Sequence, residues 1–124
     1  MTYFADLTPY TYLEDSEPAL NVGWLDAVHP FPTGKCPGEL VTALTRLAEN
    51  RVQQTRGRHY CEICWRALGP KADRAALDGI ARGSAEFRVP GEGVVYAAPE
   101  LLVHYVKAHD YLPPAEFREA VLKT

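Results

Sequence analysis

The sequence predicts a small α+β domain, single over residues 1–124, and three patterns predict it. Residues 40–52 carry one apolar stripe at helical spacing, residues 85–97 alternate with a period of two around a glycine-rich turn, and residues 99–109 return to a helical pattern. About three helices and one β-hairpin follow, with an extended aromatic arm ahead of them. A chain of 124 residues can bury roughly two-thirds of the surface its unfolded form exposes, so a core is available. The hydrophobic fraction of 47% and charged fraction of 23% are those of an ordinary globular protein. Ten prolines make the regular elements short and the connections many.

Residues 1–38 hold Tyr3, Phe4, Tyr10, Tyr12, Trp24 and Phe31, interrupted by Pro9, Pro18, Pro30, Pro32 and Pro37. No helical period survives those prolines, and the segment reads as an arm packed on the body through its rings, with a short strand over residues 21–25. Pro37, Gly38 and Glu39 then open a helix whose Leu40, Val41, Leu44, Leu47, Ala48 and Val52 share one face. Residues 53–60 form a polar loop leading to Cys61-Glu62-Ile63-Cys64, and residues 71–80 suit a short alanine-rich helix ended near Gly79. Ala85, Phe87 and Val89 alternate with Glu86 and Arg88, a strand pattern in which Glu86 is expected in solvent. Pro90-Gly91-Glu92-Gly93 turns the chain into Val94-Val95-Tyr96-Ala97. Pro99 and Glu100 suit the first turn of a helix running to about His109. Pro113 and Pro114 start a last helix over residues 115–122, with Phe117, Val121 and Leu122 apolar.

Two thiolates three residues apart on a tight turn can converge on one ion, and a pair of imidazoles can complete a tetrahedron. The pairs here are Cys61/Cys64 and His104/His109, separated by 39 residues, and soft sulfur with borderline nitrogen in that geometry selects zinc. One structural Zn2+ is expected, held by Cys61, Cys64, His104 and His109 within a zinc-binding unit over residues 58–110. The histidine spacing strains this set: on a regular helix the two side chains stand about 140° apart, against about 40° for an i, i+4 pair. The strain is relieved if the helix loosens near His109, which Asp110 and the Pro113-Pro114 break permit. His59 is the alternative for one of the helix histidines. Cys36 has no partner at ligand spacing, and His29 is expected to be an ordinary loop histidine.

Four good ligands leave no open position for catalysis. Tyr60 rather than proline precedes Cys61, and no His-x-Glu, Gly-x-Ser-x-Gly, phosphate loop or His-Glu-x-x-His occurs, so the corresponding enzyme classes receive no support. Glu62 and Asp110, like Glu86, are expected to be solvated. A redox role for the Cys-x-x-Cys would want a preceding strand and a helix N-terminus, and no such strand is predicted. Three cysteines without an export signal, and no run of ~18 apolar residues, lead to a cytoplasmic expectation. Residues 46–88 hold nine of the thirteen basic residues against five of the sixteen acidic ones, which leaves the rest of the chain near −7. That balance argues against nucleic acid as a partner.

The order of a knuckle, a hairpin and a helix bearing two more ligands resembles the treble-clef group of zinc folds over residues 58–110. The opening Met-Thr-Tyr-Phe-Ala-Asp-Leu-Thr-Pro-Tyr, with residues 21–25 (Asn-Val-Gly-Trp-Leu), 81–86 (Ala-Arg-Gly-Ser-Ala-Glu), His104-Tyr105 and 111–114 (Tyr-Leu-Pro-Pro), resembles a family of small bacterial proteins of unknown function, frequent in actinobacteria. The resemblance implies a domain type and a bacterial cytoplasm, and no activity. The expected role is a zinc-stabilised module that binds another protein, of adaptor or immunity type. The alternatives are nucleic-acid binding through the basic stretch 51–74 and an unrecognised zinc enzyme.

Overall fold

A computed structural model describes residues 3–10, 18–49, 59–69, 82–83 and 85–124. Two hairpin strands form its frame. Strand β4 (Glu86–Pro90) and strand β5 (Val95–Pro99) pair antiparallel, with Phe87 opposite Ala98 and Val89 opposite Tyr96. Gly91 closes the turn by donating its N–H to the Val94 carbonyl, and a Cβ there would press on the Tyr96 ring at 2.7 Å, so the turn needs a glycine. Strand β1 (Leu20–Asn21) runs parallel to β5 on its other edge, giving the order β1-β5-β4. The expected strand over residues 21–25 is thus displaced and cut to two residues. Gly23 ends it at φ +82, where the Leu102 side chain fills the space a Cβ would need. A separate pair joins β2 (His59–Tyr60) to β3 (Arg82–Gly83), antiparallel.

Helix α1 (Gly38–Ala48) starts on Pro37 as predicted. Leu40 and Leu44 are buried, and Val41, Leu47 and Ala48 pack against the core. Val52, the last residue of the predicted stripe, and the predicted helix over residues 71–80 lie outside the described residues. Helix α2 (Glu62–Leu68) follows β2, helix α3 (Leu102–Ala108) follows β5, and helix α4 (Ala115–Lys123) ends the chain. Helix α3 begins later than expected, because Pro99 closes β5 opposite Glu86 and the Glu100 N–H donates to the Ala85 carbonyl. In α4, Phe117 and Val121 are buried as expected, while Leu122 is exposed and Ala120 takes the third inward position.

The alternation of the hairpin sorts its residues onto two faces. Phe87, Val89, Tyr96 and Ala98 meet α1, α3 and α4 in the main core, which includes Leu40, Leu44, Leu102, Tyr105 and Phe117. Val95 and Ala97 face the other way and meet Tyr10, Ala19, Trp24 and Phe4 of the arm. The Trp24 indole N–H donates to the Ala97 carbonyl at 3.0 Å, fixing the arm across the sheet.

That cover overturns one expectation. Glu86 is not solvated: it is 1% exposed, accepting from the Tyr10 hydroxyl at 2.6 Å and from Arg88 Nη1 at 2.9 Å. The Arg88 guanidinium lies 4.8 Å over the Tyr10 ring. A buried carboxylate is tolerated only with such partners. Burial and the neighbouring carboxylate push the Tyr10 hydroxyl up to about 12, which keeps it a donor.

Candidate metal centre

Cys61 stands between β2 and α2. Its backbone is still extended, at φ −65 and ψ 109, and it caps the helix: its Sγ accepts from the Cys64 N–H at 3.5 Å. The Trp65 N–H donates to the Cys61 carbonyl at 3.0 Å, so the first turn of α2 places both sulfurs on one side. Tyr60 and Trp65 rings meet edge to face at 5.5 Å over this turn. Cys61 is fully buried at the margin of the main core, whereas Cys64 is half-buried. A two-residue strand therefore does precede the motif, contrary to expectation. It pairs antiparallel with β3 rather than entering a parallel βαβ unit, and burial pushes the Cys61 thiol up to about 11.

Helix α3 supplies the imidazoles. Leu102, Tyr105 and Val106 turn into the core, which leaves His104 on the flank facing α2. The helix stops at Ala108; His109 leaves it with φ −123 and ψ 11, although its N–H still donates to the Tyr105 carbonyl at 3.0 Å. Asp110 then takes the left-handed φ of +54, a conformation in which Asp is one of the few tolerated residues. This loosening swings His109 back toward His104, and the two rings stand 5.0 Å apart at 80°.

The result is a compact quartet. His109 Nε2 lies 3.4 Å from Cys61 Sγ and 3.3 Å from Cys64 Sγ, and His104 Nε2 lies 3.4 Å from Cys64 Sγ. All four donor atoms fall within 4.8 Å of one another, and among the described residues this is the group that could hold a metal ion. A three-centre hydrogen bond from His109 to the two sulfurs would not by itself bring His104 Nε2 to the same point. A shared ion does: bonds of about 2.3 Å to sulfur and about 2.0 Å to nitrogen at tetrahedral angles separate sulfur from nitrogen by about 3.6 Å. The donor set therefore fits a tetrahedral cation.

Electrostatics point the same way. Burial holds His104 and His109 below the ordinary histidine value, His104 also through its neighbour His109, so the neutral ligand form is favoured. The high Cys61 value belongs to a thiol with no cation beside it; a divalent ion reverses that balance and takes both sulfurs as thiolates. Glu62 is partly exposed and 3.7 Å from Arg66, and Asp110 is exposed, as expected of both.

The remaining candidates separate from the quartet. Cys36 is half-buried, and its Sγ lies 3.7 Å from the Tyr111 carbonyl as a weak donor. His29 is an exposed loop residue, 2.8 Å from Asp26 Oδ2 through Nδ1 and stacked on Tyr3 at 3.9 Å. The side chain of His59 lies outside the described set, and so does most of the basic stretch 51–74.

No helix among the described residues is long and apolar enough to cross a membrane. No curated protein and no solved structure matches the chain. One family model does match, across residues 2–122, and the chain belongs to that family, described as "Domain of unknown function (DUF7919)".

Proposed function

We propose that Cys61, Cys64, His104 and His109 hold one zinc ion in a closed structural site, and that the chain works as a zinc-stabilised module that binds another protein. The observation that carries this reading is the convergence of four donors within 4.8 Å. Two sulfurs and two nitrogens suit zinc, and a full tetrahedron leaves no position for a substrate or a reactive water. A knuckle at Cys61, a hairpin and a helix with the last two ligands follow the order of a treble clef. Reduced thiols as ligands suit the cytoplasm as the place of action.

The binding role is supported by the surface of α2 beside the site. Trp65 is 47% exposed and Leu68 is 39% exposed, on a short helix that an ion would hold rigid. Large exposed aromatics are enriched where proteins meet.

Two measurements test the two halves. Elemental analysis of protein purified without chelators should give about one zinc per chain, and a metal-free preparation that melts like the loaded one would remove the structural role. Crosslinking from a probe at the exposed position 66 in a native lysate should trap a defined protein that the same probe with Trp65→Ala does not retain. Equal capture by both forms would count against α2 as the docking element.

A further inference from the structure

We infer that Asp6 and Tyr111 are positioning residues for His109, so that the N-terminal arm sets the affinity of the metal centre. The inference rests on the reading of the quartet as metal ligands, and concerns what holds the one ligand that leaves its helix.

His109 reaches the quartet at its own non-helical φ of −123, just after α3 ends at Ala108 and just before Asp110 adopts φ +54. A left-handed non-glycine residue persists where its surroundings impose it. Here they come from the arm and the loop after it. The Gly34 N–H donates to the Asp110 carbonyl at 2.9 Å, and the Leu112 N–H donates to the Pro32 carbonyl at 2.9 Å, so residues 32–34 grip both sides of Tyr111. The Tyr111 N–H turns back to the Tyr105 carbonyl at 3.2 Å, the same oxygen that accepts from His109.

The Tyr111 side chain completes the clamp. It is fully buried, meets Phe31 edge to face at 6.1 Å, and donates its hydroxyl to Asp6 Oδ2 at 2.8 Å. The other oxygen, Asp6 Oδ1, accepts from the Gly23 N–H at 3.0 Å. Gly23 is itself fixed by its positive φ against Leu102, on the same helix as His104. One carboxylate, 105 residues away in sequence, thus ties the segment after His109 to the arm and, through Gly23, to the start of α3. No residue of this clamp is a ligand. Its effect on the ion is transmitted by where it puts the His109 ring, as outer partners of metal ligands do.

The test compares Asp6→Ala and Tyr111→Phe with Tyr10→Phe in the full chain. Tyr10→Phe also removes a buried hydroxyl contact of the arm, but to Glu86 on the sheet and away from residues 110–112. Zinc affinity is measured by competition with a chromophoric chelator at a temperature where all forms are folded, and Co2+ spectra report the ligand set. Asp6→Ala is expected to weaken zinc binding by on the order of tenfold. Its Co2+ ligand-field bands should shift while the sulfur charge-transfer bands persist, and Tyr111→Phe should move in the same direction. Tyr10→Phe should lower the melting temperature and leave affinity and spectrum unchanged. Wild-type affinity in Asp6→Ala, or an equal loss in Tyr10→Phe, overturns the positioning role. If Asp6→Ala does not fold, Tyr111→Phe, which keeps the ring in the core, decides alone. A wild-type chain that binds neither ion removes the metal reading itself, an outcome distinct from unequal binding among variants.

Discussion

Helices α2 and α3 face each other across the quartet, yet they are held to the molecule by different means. Helix α3 buries Leu102, Tyr105 and Val106, and its neighbours α1 and the sheet close over it. Helix α2 has seven residues, none of them buried, and its strongest ties are the Cys61 cap and the partial packing of Ile63 and Cys64 against the core. A helix this short does not persist on backbone hydrogen bonding alone. The lesson is that a metal ion is worth most where packing is thinnest. At α3 it would add to an existing core, and at α2 it would stand in for one.

The sharpest way to break that comparison is to remove a sulfur. Cys61→Ser should release the metal and cost several kcal/mol, since structural zinc contributes on the order of 10 kcal/mol to a small finger. Hydrogen exchange should show residues 59–69 losing protection first, with β4, β5, α1 and α4 keeping theirs longer. Uniform loss across the chain would mean that α2 is no more dependent on the ion than the core is.

Next in size is the opposite lesion. Leu44 is fully buried in α1, and Leu44→Ala should cost about 2–5 kcal/mol by leaving a cavity. Because it lies on the packed side, the folded variant should still bind one metal ion per chain, read by elemental analysis. Substoichiometric metal would show that the core and the centre fold as one unit.

The smallest effect concerns the third cysteine. Cys36→Ser should change stability by about 1–2 kcal/mol, as an ordinary half-buried substitution does, and should keep the metal. Melting and metal loss as severe as in Cys61→Ser would make Cys36 a ligand and displace one of the histidines.

Much of the local structure was legible because it is written at short range. The stripe of Leu40, Leu44 and Leu47 gave α1, and the alternation about Pro90-Gly91-Glu92-Gly93 gave the hairpin, since both periods reflect backbone geometry. The burial of Glu86 was not legible. Alternation shows that a sheet has two faces, but the arm that covers the second face comes from residues far upstream, through Tyr10, Ala19 and Trp24. For the same reason Pro99 read as a helix start, although pairing with Glu86 makes it the end of β5.

By itself the sequence determined the donor chemistry, because Cys-x-x-Cys and two histidines offer two sulfurs and two nitrogens, one of the donor sets a tetrahedral cation takes. Only the tertiary structure decided that the pairs meet. The 39 residues between Cys64 and His104 carry no distance information, and five positions along a regular helix would have pointed the imidazoles apart. What joins them is the early end of α3 and the left-handed turn at Asp110, gripped by residues 32–34 and by Asp6 through Tyr111. Those contacts are long-range, and spacing along the chain encodes only the conformations that neighbours in sequence can impose on one another.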